Sequence, residues 1–163
     1  MRAVVSKPRQ RGSLTFETAL VFIPTMFLFM GLIEVSRGLW MYHTLASAVK
    51  TAARYSIVHG ETCVSSTAAC QITVADVART MKQRGLGLDE SSLSLSMKAG
   101  DSSVSCEPVT NCLQNGTAWP PAPYNLQGLP VQLQAQYRFG TVFWPFGNRS
   151  FTFNARAQES IQF

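Results

Sequence analysis

The chain has 163 residues, 46% hydrophobic and only 14% charged, with fourteen Lys plus Arg against nine Asp plus Glu and a formal net charge of +5. That length holds one ordinary domain, or a short membrane anchor with a small domain, and excludes a multidomain enzyme. The low charge and the four Cys exclude a disordered, highly charged tail, while the positive balance raises nucleic-acid binding as a reading that the placement of the charges must decide.

Residues 1–12, MRAVVSKPRQRG, contain Arg2, Lys7, Arg9 and Arg11 and no acid. Pro8 and Gly12 make this stretch a poor helix. The next twenty residues, Leu14 to Ile33, include fourteen apolar ones and a single charge, Glu17. A helix of that length spans about 30 Å, the hydrocarbon thickness of a bilayer. Phe16, Phe22, Phe27 and Phe29 point in several directions, so the segment needs apolar surroundings on every side. A buried core helix is the alternative, but a domain of the remaining size could hardly enclose it. The basic run precedes the span, which predicts residues 1–12 in the cytoplasm and the remainder outside. The run after the span is Glu34-Val35-Ser36-Arg37, not the small-residue site at which a secretory signal is cut, so the segment is expected to be kept.

The helical pattern continues past Ile33. Val35, Leu39, Tyr42, Ala46, Val49, Ala53 and Ile57 recur at spacings of three and four, with Glu34, Arg37, Ser47, Lys50 and Arg54 between them. This predicts an amphipathic continuation to about Val58, ending near Gly60. One helix from Ser13 to Val58 would be about 70 Å long. Pro24 lies inside its apolar half and predicts a local kink or loosening. Glu34 and Arg37, three apart, can pair on the helix. With Trp40 and Tyr42 they mark the outer membrane–water boundary, and together with Leu20 and Pro24 in the span they read as membrane anchors rather than chemistry.

The remainder predicts a small domain. Ile72 to Lys82 reads as a short helix closed by Gly85. Ser92 to Met97 alternates polar and apolar residues as a half-buried strand. Residues 100–130 read as a loop region, with Pro120 to Pro123 extended. Val131 to Phe139 alternates most clearly of all, and Phe151 to Gln158 repeats the pattern, which predicts an antiparallel hairpin linked around Pro145 to Asn148. The apolar face of such a sheet needs a cover, and the amphipathic half of the long helix is the candidate. The fold class is therefore α+β. Cys63, Cys70, Cys106 and Cys112 form an even set that allows three pairings. The sequence-local pairs, Cys63 with Cys70 and Cys106 with Cys112, are preferred, since the spacings lack the short Cys-x-x-Cys clip of structural zinc. Disulfides suit an oxidising compartment and a limited core.

A basic leader ending in Gly12, Glu17 five residues later in an apolar span, and a long helix running into a small sheet domain occur together. The run Arg11-Gly12-Ser13-Leu14-Thr15-Phe16-Glu17-Thr18-Ala19-Leu20-Val21, then Pro24, then Gly31-Leu32-Ile33-Glu34-Val35-Ser36-Arg37-Gly38, and more weakly Ala52-Ala53-Arg54-Tyr55, resembles the type IV pilin class and, within it, the TadE-like pseudopilins of tight-adherence pilus systems. The resemblance covers about a quarter to a third of the chain and beyond residue 60 is one of architecture alone. It implies a pilin-like fold and cleavage between Gly12 and Ser13 by a prepilin peptidase on the cytoplasmic face. It also implies a role in pilus assembly and adhesion, with other pilus subunits, the inner-membrane assembly platform and the lipid bilayer as partners. Many type IV pilins carry Phe at the first mature position, where this chain has Ser13. A carboxylate in hydrocarbon is costly and usually has a partner. The resemblance gives Glu17 an amine, its own Ser13 nitrogen or a neighbour's, while the alternative is that Glu17 snorkels to the interface.

Other chemistries find little footing. His59, Glu61 and Cys63 can be drawn as a metal site, but the Cys is better used in a disulfide. No Gly-x-Ser-x-Gly elbow and no phosphate-cradling Gly loop occurs. Asn115-Gly116-Thr117 and Asn148-Arg149-Ser150 fit a glycosylation pattern and read as turns. Trp119, Tyr124, Phe143 and Trp144 read as an exposed contact patch or, more commonly, as caps on the core edge. The chain is therefore expected to be a non-enzymatic assembly component without metal or cofactor. Removal of residues 1–12 would leave ten Lys plus Arg against nine Asp plus Glu, so the basic balance reports a leader, and no nucleic-acid partner is expected. The second reading is an uncleaved single-pass protein that binds a partner through its outer domain.

Overall fold

A computed structural model describes residues 11–59, 72–142 and 149–162, with side chains from residue 14 onward. Residues 1–10 of the leader, Gly60, Cys63, Cys70, Phe143, Trp144 and the Pro145 to Asn148 link lie outside the described residues. Helix α1 runs unbroken from Arg11 to Ile57, 47 residues with Pro24 inside, or about 70 Å. It is followed by β1 (Ile72–Thr73), α2 (Val74–Arg84), a 3-10 turn (Glu90–Ser92), β2 (Leu93–Ala99), β3 (Ser102–Cys106), a second 3-10 turn (Val109–Cys112), β4 (Ala118–Trp119), β5 (Pro130–Gly140) and β6 (Ser150–Ser160). The arrangement is α+β, as the alternating patterns predict.

The main sheet is antiparallel in the order β3-β2-β5-β6, and β1 pairs with β4 in a small second sheet. The β5–β6 hairpin predicted from the alternation is present, with Ala135 opposite Ala155, Leu133 opposite Ala157 and Tyr137 opposite Phe153. Strand β2 adds Leu95 beside Ala135 and Met97 beside Leu133. Along β5 the inner face carries large Leu133 and Tyr137 on either side of small Ala135, which leaves room for side chains of α1 between them. The outer face carries Ser94, Lys98, Gln132, Gln134, Gln136 and Arg156, with Arg156 donating to Gln132 Oε1 at 2.6 Å. The second half of α1 covers the inner face. Leu45, Ala48, Val49, Ala52, Ala53 and Ile57 are buried in one core with Val77, Ala78 and Met81 of α2 and the sheet residues. The alanines on both helices keep side-chain bulk out of their contact and let them approach closely.

Several expectations are corrected. The buried face of α1 turns through Glu34, Gly38, Leu45, Val49 and Ala53, while Val35, Leu39 and Tyr42 are exposed. The apolar periodicity marked the right helix but the wrong stripe at its lower end, because Gly38 and a paired Glu34 fill the contact where hydrophobes were expected. Ile72 and Thr73 are extended, and the helix begins at Val74, because Thr73 caps it. Residues 100–130 are not all loop: the serine-rich Ser102–Cys106 forms β3 on β2, its strand signal hidden by small polar residues. The four residues from Pro120 are not extended. Trp119-Pro120 and Ala122-Pro123 are cis, and Tyr124 N–H donates to Pro121 C=O at 2.8 Å, which closes a turn. That turn places the Tyr124 ring on Gly100 at the β2–β3 bend. Gly100 has φ +57°, and a Cβ there would fall 2.1 Å from the Tyr124 ring, so only glycine fits.

The cap of α2 is a reciprocal box. Asp76 N–H donates to Thr73 Oγ at 3.3 Å, while Thr73 Oγ and Thr73 N–H donate to the Asp76 carboxylate at 2.7 and 3.0 Å. The Thr73 hydroxyl and amide hold the Asp76 carboxyl below its ordinary range, against an opposing effect of burial. A depressed carboxylate contributes stability above its unfolded pKa and loses it as pH falls through the folded one. Thr73→Ala should therefore lower stability by about 1 kcal/mol at neutral pH. The difference from wild type should shrink below about pH 4, read as thermal unfolding of the full chain in detergent by circular dichroism.

Candidate membrane-boundary site

The first half of α1 meets the requirement for a span in its composition and in its exposure. Its most apolar 18-residue window has a mean hydropathy of 2.0 and only 6% of it is buried. A soluble core helix would be mostly enclosed, so the buried-helix alternative does not describe this segment. Its hydroxyls are satisfied within the helix: Thr18 Oγ donates to Leu14 C=O, and Thr25 Oγ to Val21 C=O at 2.7 Å. Such back-bonding removes free polar groups from an apolar surface. Pro24 withholds the amide that the Leu20 carbonyl would accept, yet the helix continues through it. Leu20 is exposed along the span. Gly12 and Ser13 are helical in backbone, and Glu17 is exposed one turn beyond Ser13, with no ion-pair partner among the described residues.

Burial begins at Glu34, whose side chain is only 8% exposed. Its Oε1 accepts from Arg37 Nη2 at 2.5 Å and from the Val142 N–H at 3.1 Å. Arg37 Nη2 also donates to Gly140 C=O at 2.7 Å, and its guanidinium lies 4.6 Å from the Phe139 ring centroid, within cation–π range. The pair therefore ties the last residues of β5 to the first turn of α1 beyond the span. The sequence spacing revealed the ion pair. It could not reveal Phe139, Gly140 and Val142, more than a hundred positions away in the chain. Gly38 lies against Phe139 and Phe153, whose ring atoms would stand in ordinary van der Waals contact, 3.7–3.8 Å, with a Cβ at that position.

Beside the pair, α1 and the hairpin leave a groove of about 550 Å³ lined by Gly31, Val35, Leu39, Tyr42, Phe151 and Phe153, with Glu34, Thr141 and Arg149 among its polar residues. Tyr42 meets Phe153 edge-on at 6.0 Å, so it builds the groove wall as well as the boundary ring that the sequence suggested. Trp40 packs on the domain too. Gly87 has φ +85°, and a Cβ there would fall 2.8 Å from the Trp40 ring, so the turn after α2 must be glycine to seat against it. Trp40 is nevertheless 54% exposed.

The other predicted residues lie apart from the boundary. Cys106 and Cys112 form a disulfide with Cα atoms 5.7 Å apart, joining the end of β3 to the second 3-10 turn. Trp119 is buried and Tyr124 is packed on the core edge, so both cap the core. His59 Nδ1 hydrogen-bonds the Tyr55 carbonyl at 2.8 Å, which occupies it at the end of α1, while Glu61 and Cys63 lie outside the described residues. Glu34 Oε2 and Arg37 Nε have no hydrogen-bond partner among the described residues, so the pair leans on its shared contacts. Arg37→Ala should leave the Glu34 carboxylate buried and cost about 1–3 kcal/mol. In a double-mutant cycle with Glu34→Ala the two losses should not add. Hydrogen exchange at the Val142 amide should rise in each single variant.

A family model described as TadE-like protein matches residues 12–54. Searches of curated proteins and of solved structures found no match to the chain. The matched stretch begins at the Gly12–Ser13 junction and includes the exposed span, the Glu34–Arg37 clamp and most of the helix face that covers the sheet. The similarity to this family model lies over the long helix.

Proposed function

We propose that the protein is a minor pilin or pseudopilin, a structural and assembly component of a tight-adherence type IV pilus, acting in adhesion and biofilm formation without catalysis. The single observation that carries this reading is the coincidence of the TadE-like match at residues 12–54 with a helix whose apolar half is open on every side and whose other half is the core of a small domain. One helix serving both as anchor and as domain scaffold is what a subunit needs if it is to move from a bilayer into a filament without refolding.

In this reading prepilin peptidase cuts between Gly12 and Ser13. The basic leader stays on the cytoplasmic side of the inner membrane, and the sheet domain faces the periplasm. There the domain meets other pilus subunits and the assembly platform. Glu17 would pair with the Ser13 amine of its own or a neighbouring chain, which removes two isolated charges from an apolar setting and fixes the stagger between subunits. The exposure of Glu17 leaves it accessible to such a neighbour.

N-terminal sequencing of membrane-extracted protein should begin at Ser13. An intact leader would favour instead an uncleaved, membrane-anchored binding protein. Gly12→Ala should block processing. Glu17→Ala should be processed normally but should fail to enter sheared pili, as read by immunoblotting of pilus and membrane fractions. Normal entry of that variant would remove the charge-pairing role.

A further inference from the structure

The exposed hydrophobes of the domain gather at one end. Among the described residues beyond position 71, the large hydrophobes that stay exposed are Leu86, Leu126, Val142 and Phe151, with Val142 at 73% and Leu86 at 71% the most open. Val142 N–H donates to Glu34 Oε1, so Val142 lies at the level where the apolar run ends. Phe151 stands opposite Phe139 in the hairpin register, and the Phe139 ring meets Arg37, which puts Phe151 near the same level. It lines the groove with Val35, about 100° round the helix from Glu34. Leu86 arrives from another side. It precedes Gly87, whose φ of +85° seats the turn after α2 against the Trp40 ring. Trp40 is about 9 Å of rise beyond Glu34 and about 120° round the helix in the opposite sense, and its side chain leans back towards the N-terminus. Only Leu126 is remote. It lies beside Leu129, whose carbonyl accepts from Ile161 N–H, next to the Gln162 bond to Ile57, about 35 Å up α1. Isolated exposed hydrophobes need no explanation, but three set around one helix at one level do.

We propose that this end of the domain is seated on the surface of the bilayer that α1 crosses, with Leu86, Val142 and Phe151 set into the headgroup zone around the helix. The inference rests on the reading of α1 as a membrane anchor. The headgroup zone adds about 5–8 Å beyond the hydrocarbon on each side, which is the height at which these side chains emerge above Ile33. Trp40, 54% exposed beside the Leu86 turn, is of the residue type that favours this zone. The contact is apolar and not directed at charged lipid. Lys82 pairs with Glu90 at 2.7 Å, Arg84 and Asp89 beside the turn are both exposed, and at the hairpin Glu34 pairs with Arg37 while Arg149 is exposed. Long basic side chains at that height can reach water while their stems lie on the apolar surface. A single helix leaves its domain free to tilt. Contacts on three sides of that helix remove this freedom and hold the domain at one height and angle over the membrane.

The test uses the full chain in phosphatidylcholine nanodiscs, with Leu and Val methyls and Phe rings labelled for NMR. A nitroxide carried near the lipid headgroup should broaden the Leu86 and Val142 methyls and the Phe151 ring beyond detection and leave Leu126 sharp. A water-soluble gadolinium chelate should do the reverse, and a nitroxide deep in the acyl chains should broaden Leu20. In the double variant Leu86→Asp with Val142→Asp, two surface changes, Phe151 should lose its lipid broadening while Leu20 keeps its own. If the chelate reaches Leu86 and Val142 while Leu20 stays in lipid, the seat is overturned and the anchor stands. Unchanged broadening of Phe151 in the double variant overturns it as well. Protection of Leu86 and Val142 from both reagents that grows with the number of chains per disc would make a second copy the occupant and overturn the seat. Broadening that appears only when anionic lipid is added would make the contact electrostatic, with the same result. If the chelate reaches Leu20, the anchor reading fails, and the seat with it.

Discussion

The contact on which the rest depends is the one between Glu34, Arg37 and the end of β5. Below it, α1 presents apolar side chains in every direction. Above it, the same helix buries one face under a sheet. A helix that changes surroundings within a single turn must hold the domain firmly at that point, or the hairpin would swing free of it. The buried Glu34 carboxylate does this by accepting from both a neighbouring guanidinium and the Val142 amide just past β5. Arg37 completes the link by donating to the Gly140 carbonyl. A carboxylate out of water is tolerated only when paired in this way, so the charge that looks like a membrane-boundary marker is also a tertiary tie.

From that tie the packing follows. Gly38 lies against the aromatic pair Phe139 and Phe153, whose centroids are 5.4 Å apart. Two turns further on, Leu45 and then the alanines and valine of the upper helix fill the sheet's inner face. Helix α2 closes the core from the side, held in place by its Thr73–Asp76 box. The Cys106–Cys112 disulfide secures the edge strand β3, whose short serine-rich sequence has little apolar area of its own to hold it. The domain is thus built outward from a helix whose other half is apolar and exposed on all sides. Its small size becomes workable because α1 supplies a core wall as long as the sheet itself.

The same economy explains the groove. The hairpin meets α1 at Glu34 and Gly38, but the apolar stripe Val35, Leu39 and Tyr42 points beside that contact and not into it. The mismatch between stripe and contact leaves hydrophobes exposed where the apolar half of α1 meets the domain.

Local chemistry was legible in the sequence. The run from Leu14 to Ile33 is long and apolar enough to cross a membrane, and its side chains point in all directions. The alternation from Val131 to Phe139 and from Phe151 to Gln158 announces a hairpin, because a strand's side chains alternate faces. The Gly12-to-Glu17 spacing in a basic leader carried the family resemblance. What the sequence alone did not determine was the rotation of α1 beneath the sheet. Gly38 and Glu34, poor core candidates by composition, occupy the contact, because the Phe139 and Phe153 rings lie against the first and a guanidinium and a backbone amide satisfy the second. Strand β3 and the turn at Pro120 were equally hidden, the first by serines that pair only because β2 lies beside them. Tertiary structure decided these points because each depends on a partner far away in the chain, and no local pattern records which strand end a carboxylate will meet.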